Sequence, residues 1–131
     1  MSVSIDHIGL SVSDYAAAKT FYTRALAPIG ISVLMEFPAS VTGDTDVCGL
    51  GADGKPFFWI AAQGRTSPHT HVAFAVESRK LVDDFYAAAM AAGGKDNGAP
   101  GVRPHYHADY YGAFVLDADG NNIEAVCHRP E

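Results

Sequence analysis

The chain repeats itself at a fixed offset. Asp6-His7-Ile8-Gly9-Leu10-Ser11-Val12 aligns with Thr70-His71-Val72-Ala73-Phe74-Ala75-Val76 at an offset of 71 − 7 = 64, setting His on His, Ile on Val, Leu on Phe and Val on Val. Both stretches alternate apolar residues with small or polar ones at period two, the pattern of a half-buried strand. Ile8, Leu10 and Val12 then face one side, and His7, Gly9 and Ser11 the other. The same offset runs on through a helical stretch, matching Phe21-Tyr22 with Phe85-Tyr86, Ala25 with Ala89 and Gly30 with Gly94. Ser13 or Asp14 can cap the first helix, because a short oxygen side chain accepts an orphan N–H, and Ser78 stands at the start of the second. Gly30 and Gly93-Gly94 are helix stops. Asp53-Gly54 and Asp119-Gly120 each signal a hairpin turn. Their offset is 120 − 54 = 66, so the second copy has gained residues.

Between helix and turn, each half has room for two further strands, expected at 31–36 and 47–51, and at 101–107 and 111–116. A last strand follows each turn, at 57–61 and at 123–127. Each half therefore reads strand, helix, strand, strand, strand, an α+β arrangement. The halves span about 1–63 and 70–131, with a linker at about 64–69 around Gly64, Ser67 and Pro68. A sheet with a helix on one face needs a partner to shape the other, so the 131 residues are expected to form one domain.

Charge and cysteine usage narrow the function classes. The net charge is −6, and no Lys/Arg cluster relieves it locally, which argues against a nucleic-acid partner. Cys48 and Cys127 are the only cysteines and form no C-x-x-C pair, so both read as reduced thiols in a cytoplasmic protein. The N-terminal stretch lacks a basic region followed by an apolar one, and no apolar run approaches the ~20 residues that span a bilayer. No membrane partner is expected.

These motifs together resemble the vicinal oxygen chelate superfamily, which includes glyoxalase I, extradiol dioxygenases, fosfomycin-resistance proteins and bleomycin-binding proteins. The carriers are Asp6-His7-Ile8-Gly9-Leu10, His71-Val72-Ala73-Phe74 and the stretch from Leu116-Asp117-Ala118-Asp119-Gly120 to Asn121-Asn122-Ile123-Glu124. The resemblance implies tandem β-α-β-β-β modules forming a U-shaped, partly open eight-stranded barrel. It also implies a small-molecule substrate with adjacent oxygens, a divalent metal and a homodimer. Its module-starting metal ligands fall on His7 and His71, and its last-strand ligand on Glu124. Counting four residues past the turn glycine, as 124 − 120 = 4, puts Phe58 at the equivalent place in the first half, and Phe58 binds no metal. Two His and one carboxylate leave open coordination positions and favour Fe(II) or Mn(II), with Zn, Ni or Mg as further options. A lactoylglutathione lyase would need a fourth ligand. The three-ligand set points instead toward ring-opening dioxygenation, while the short chain points back toward isomerase or lyase chemistry.

Glu124 carries independent weight. It lies mid-strand opposite the core face, where a carboxylate in a closed cup is costly unless a cation or partner offsets it. The alternatives are that it reaches solvent or pairs with Arg103 or Arg129. The segment 103–112 is rich in groups that move protons or stabilise negative charge, with His107, Tyr110 and Arg103 as catalytic candidates. Its plainer reading is a loop and edge strand whose aromatics cover the core. A second function class is a non-catalytic small-molecule binder of the bleomycin-sequestering type. Specificity is expected in loops 37–46 and 96–110. The sequence leaves open whether His7 meets Glu124 within one chain or across two.

Overall fold

The computed structural model describes residues 4–64 and 69–131, so most of the expected linker lies outside the described residues. The first half comprises β1 (Ile8–Ser11), α1 (Tyr15–Leu26), a 3-10 turn (Ala27–Ile29), β2 (Ser32–Phe37), α2 (Ala39–Thr42), β3 (Val47–Ala52) and β4 (Lys55–Ala61). The second comprises β5 (His71–Ala75), α3 (Arg79–Ala91), β6 (Lys95–Val102), β7 (Tyr111–Leu116) and β8 (Asn122–Cys127). The strands form two four-stranded sheets, ordered β1-β4-β3-β2 and β5-β8-β7-β6. In each, the first strand lies parallel to the last and the other pairs are antiparallel. The architecture is α+β with the same unit twice, and each sheet is open.

Local chemistry sets the element ends. Asp14 caps α1 by accepting the Ala17 N–H at 3.0 Å, and Ser78 caps α3 by accepting the Leu81 N–H at 3.2 Å. Gly30, at φ 85°, ends the 3-10 turn in the left-handed region that a Cβ disfavours. One apolar core runs through both halves. Phe21, Tyr22, Ala25 and Leu26 face it from α1, and Val82, Phe85 and Ala89 from α3. Phe58 sits at the junction, its ring 5.1 Å from that of Tyr22 and 5.4 Å from that of Phe74. A buried polar tie reinforces it. The Tyr22 hydroxyl donates to Asp117 at 2.5 Å, and Asp117 also accepts the backbone N–H groups of Asp119 and Asn121. Asp119 in turn accepts the Ser13 N–H, joining the β7–β8 turn to the start of α1.

Two elements differ from the sequence reading. The strand expected at 101–107 is instead β6, ending at Val102, and 103–110 folds back on itself. The Arg103 N–H donates to the Tyr110 carbonyl at 2.7 Å, and the Tyr106 N–H to the Arg103 carbonyl at 3.0 Å. β6 is an edge strand with register shifts around Gly98 and Gly101, so it tolerates Pro100 and shows no apolar alternation. The short α2 has no counterpart in the sequence reading; Asp46 holds its start by accepting the Ala39 N–H at 2.7 Å. Among the described residues no helix is long and apolar enough to cross a membrane.

Candidate functional site

The sheet faces turned away from the core carry the candidate ligands. In β5, Val72 and Phe74 are buried while His71, Ala73 and Ala75 are exposed. Glu124 of β8 pairs in register with Ala73 on one side and Phe114 on the other, so it projects from the same face as His71. It is nonetheless only 2 % exposed, because His71 and Tyr110 cover it. His71 Nε2 lies 3.1 Å from Glu124 Oε1, and the Tyr110 hydroxyl donates to Oε2.

Hydrogen-bond roles place one hydrogen of this pair. His71 Nδ1 lies 3.0 Å from the Asn122 carbonyl, which only accepts, so Nδ1 carries the hydrogen. A neutral ring with that hydrogen would present the Nε2 lone pair to a carboxylate oxygen. Two acceptors facing each other need a cation between them, either a proton or a metal. Cis ligands at about 2.1 Å from an octahedral ion stand about 3 Å apart, so this spacing suits a metal's bite. Partial burial, and then the bond to Glu124, push the Tyr110 phenol well above its usual pKa, keeping it a donor. Gly112 makes this contact possible: a Cβ there would come within 3.2 Å of both Glu124 Oε2 and the Tyr110 ring.

His7 stands apart from the pair but is prepared in the same way. Its Nδ1 lies 2.7 Å from Asp6, itself bound by Lys55 at 2.7 Å. The Lys55 contact, followed by that of His7, holds the Asp6 carboxyl below the usual range. A carboxylate on Nδ1 leaves Nε2 as the atom open to a ligand, a common arrangement behind metal-binding histidines. His7 is 59 % exposed and lines, with His71, Phe57 and Phe74, an open cleft of about 320 Å³ between the starts of β1 and β5. Among the described residues no three His, Cys, Asp or Glu side chains are gathered as a metal-holding group. The structure thus brings His71 and Glu124 together and leaves His7 at the cleft wall. Asn122, Asp6 and Gly112 are supporting residues that the sequence reading missed. Only Asp6, adjacent to His7, had a readable cue.

The first half's counterpart of Glu124 is Trp59, a correction to the count that chose Phe58. Register pairs Ile8 with Phe58 and Gly9 with Trp59, as it pairs Val72 with Ile123 and Ala73 with Glu124. Counting from the turn glycine fails because the turns differ. Asp53 and Gly54 form a two-residue turn with a register shift behind it, whereas residues 117–121 form the other. Phe58 therefore faces the core, and Trp59 lies over Gly49 on the opposite face, where a Cβ on Gly49 would be 2.8 Å from its ring. Neither residue supplies a fourth ligand.

The remaining candidates cluster beside Tyr110. The Asp109 N–H donates to His107 Nδ1 at 3.1 Å, so His107 Nε2 carries the hydrogen and donates to His128 Nδ1 at 2.9 Å. Tyr110 packs edge-on against both rings. Arg103 does not pair with Glu124; its guanidinium lies 5.4 Å over the Phe114 ring and donates to the Ala99 carbonyl at 2.7 Å. Arg129 pairs with Glu77 instead, at 3.9 Å. Cys48 and Cys127 are free thiols buried in the core.

The sequence model of the Glyoxalase/Bleomycin resistance protein/Dioxygenase superfamily matches residues 4–125. No curated protein matches the chain. Among solved structures, a glyoxalase/bleomycin resistance protein from Albidiferax ferrireducens T118 is 26 % identical with TM-score 0.74, over 93 % of this chain and 97 % of its own. A glyoxylase/bleomycin resistance protein/dioxygenase domain from Frankia sp. EAN1pec is 22 % identical with TM-score 0.75, over 98 % and 100 %. The fosfomycin resistance protein FosX from Listeria monocytogenes, solved as a point mutant with Mn(II) and 1S,2S-dihydroxypropylphosphonic acid, is 18 % identical with TM-score 0.70, over 98 % and 95 %.

Proposed function

The chain belongs to the Glyoxalase/Bleomycin resistance protein/Dioxygenase superfamily, and from that membership we propose a metal-dependent enzyme acting on a small substrate with adjacent oxygens. The observation that carries this reading is the His71–Glu124 pair, whose facing acceptors call for a cation. His71 and Glu124 would hold a divalent ion, and His7 would join them, from this chain or from a second copy across a homodimer. Two His and one carboxylate favour Fe(II) or Mn(II), and the FosX structure contains Mn(II). When bound, such an ion polarises substrate oxygens and stabilises negative charge developing on them. Tyr110 fixes Glu124 through its hydroxyl and stands ready to pass a proton. His107 and His128 extend from Tyr110 toward solvent as a second proton-handling pair, and Arg103 adds positive charge to the same face. The buried free thiols support a reducing, cytoplasmic setting.

Protein purified without chelator should carry close to one divalent ion per site. Glu124→Gln and His71→Ala should lose it while keeping the circular dichroism of the parent. Less than roughly a tenth of an equivalent after reconstitution would sink the proposal. Non-catalytic sequestration is the second reading. It is favoured by the turned-away His7 and by the Phe37 and Trp59 rings stacked at 6.3 Å on the other sheet.

A further inference from the structure

Among the described residues, Arg103 is a fixed charge without a counter-charge. Its guanidinium lies along β6 where no side chain stands: a Cβ on Gly98 would be 3.1 Å from Nη2, and one on Gly101 3.0 Å from Nη1. Gly98 adopts φ 151°, a conformation L side chains rarely take, so the empty strip is built into the backbone. The Ala99 carbonyl, at 2.7 Å, and the Phe114 ring beneath hold the group in place. Among the described residues no carboxylate lies within ion-pair distance of it. That is notable in a chain of net charge −6, where acidic partners are plentiful. Ordering a long side chain costs rotamer entropy, and a half-buried cation loses hydration. Since one Nη2 donor is spent on Ala99, most of the fork's N–H groups remain available.

The position relates this charge to the candidate metal pair. Phe114 is the cross-strand neighbour of Glu124, and its ring also lies against His71, with centroids 6.3 Å apart and planes at 26°. Arg103 and His71 thus both contact the one Phe114 ring, which puts the guanidinium on the sheet face that carries the candidate metal pair. We propose that Arg103 is a substrate-binding residue that selects a chelating substrate bearing a second anionic group, a carboxylate or similar oxyanion. This deepens the metal-site reading and rests on it for the chelating end.

Catechol and 3,4-dihydroxybenzoate test the idea, because they share chelating oxygens and differ by one carboxylate across the ring. Calorimetric titration into Mn(II)-loaded protein should find the acid at least about tenfold tighter, the value of one charge-assisted hydrogen bond. Arg103→Gln should erase that preference, and Arg103→Lys, which keeps the charge but not the fork, should retain part of it. Equal binding of the two probes to metal-loaded wild type, or a preference that survives Arg103→Gln, would overturn the assignment. The same titrations on metal-free protein, followed by the Arg103 Nε–H resonance, separate the two readings. If no metal is taken up yet the acid alone shifts that resonance, the anion site stands and the metal centre falls. If no metal is taken up and the acid shifts nothing, both fall.

Discussion

Gly112 decides whether Tyr110 can reach Glu124. It sits on β7 opposite Val126, and its missing side chain leaves the space through which the phenol crosses the strand. Tyr110 then fixes the Glu124 carboxylate by occupying Oε2, leaving Oε1 toward His71. Supporting contacts of this kind typically tune metal affinity by about 10–100-fold. Tyr110→Phe should therefore weaken metal binding by roughly that factor, measured by chelator competition. The metal-free variant should also lose about 1–3 kcal/mol in urea unfolding, because Oε2 is left buried and unpaired. Gly112→Ala should move affinity in the same direction by less, since Tyr110 can give way by a few tenths of an ångström. Unchanged affinity in Tyr110→Phe would remove the phenol from the site.

At the scale of elements, the strand register separates Phe58 from Trp59. Phe58 is wholly buried between Tyr22 and Phe74, whereas Trp59 lies partly exposed on the opposite face. Phe58→Glu should bury an unpaired carboxylate and cost more than about 4 kcal/mol, enough to abolish the soluble folded protein. Trp59→Glu should remain folded and uncover Gly49, placing its carboxylate where the first half's counterpart of Glu124 would stand. Far-UV circular dichroism and a urea midpoint distinguish these outcomes. Equal tolerance of both changes would contradict the register. The helix caps, by contrast, were legible in the sequence to within a residue, as Ser13 or Asp14 for α1 and Ser78 for α3: Asp14 and Ser78 act within their own turns, and so do Gly30 and Gly93. β6 was not legible, because an edge strand broken by Gly98, Pro100 and Gly101 has no periodic apolar face to betray it.

In the whole molecule the two halves are joined by an apolar junction and a polar one. Asp117 collects the Tyr22 hydroxyl, two backbone N–H groups and the Asn121 amide in a buried setting. Asp117→Ala should destabilise the protein by about 3 kcal/mol or more, read from denaturant unfolding. The same junction gives stability an alkaline edge. Burial, with Asp117 behind it, raises the Tyr22 phenol far above its usual pKa. A phenol raised in the folded state contributes stability that is complete below the unfolded value near 10 and is lost as pH rises beyond it toward the folded value. Thermal midpoints should fall above about pH 10, and Tyr22→Phe should make that fall shallower. A parent and variant with parallel profiles would show that another group governs the edge.

The repeat, the α+β unit and the faces of His7, His71 and Glu124 are determined by the sequence alone. Each depends on spacing along one segment, where periods of 2.0 and 3.6 residues declare which side faces the core. The partners of those residues were decided only in the tertiary structure. His71 meets Glu124 because β5 lies beside β8, while His7 turns to Asp6. Trp59 rather than Phe58 is the first half's counterpart of Glu124 because turn length and a register shift set the pairing. Arg103 lies along β6 because two glycines leave its path clear. Contacts between strands depend on register and turn geometry, and neither follows from the periodicity of a single strand.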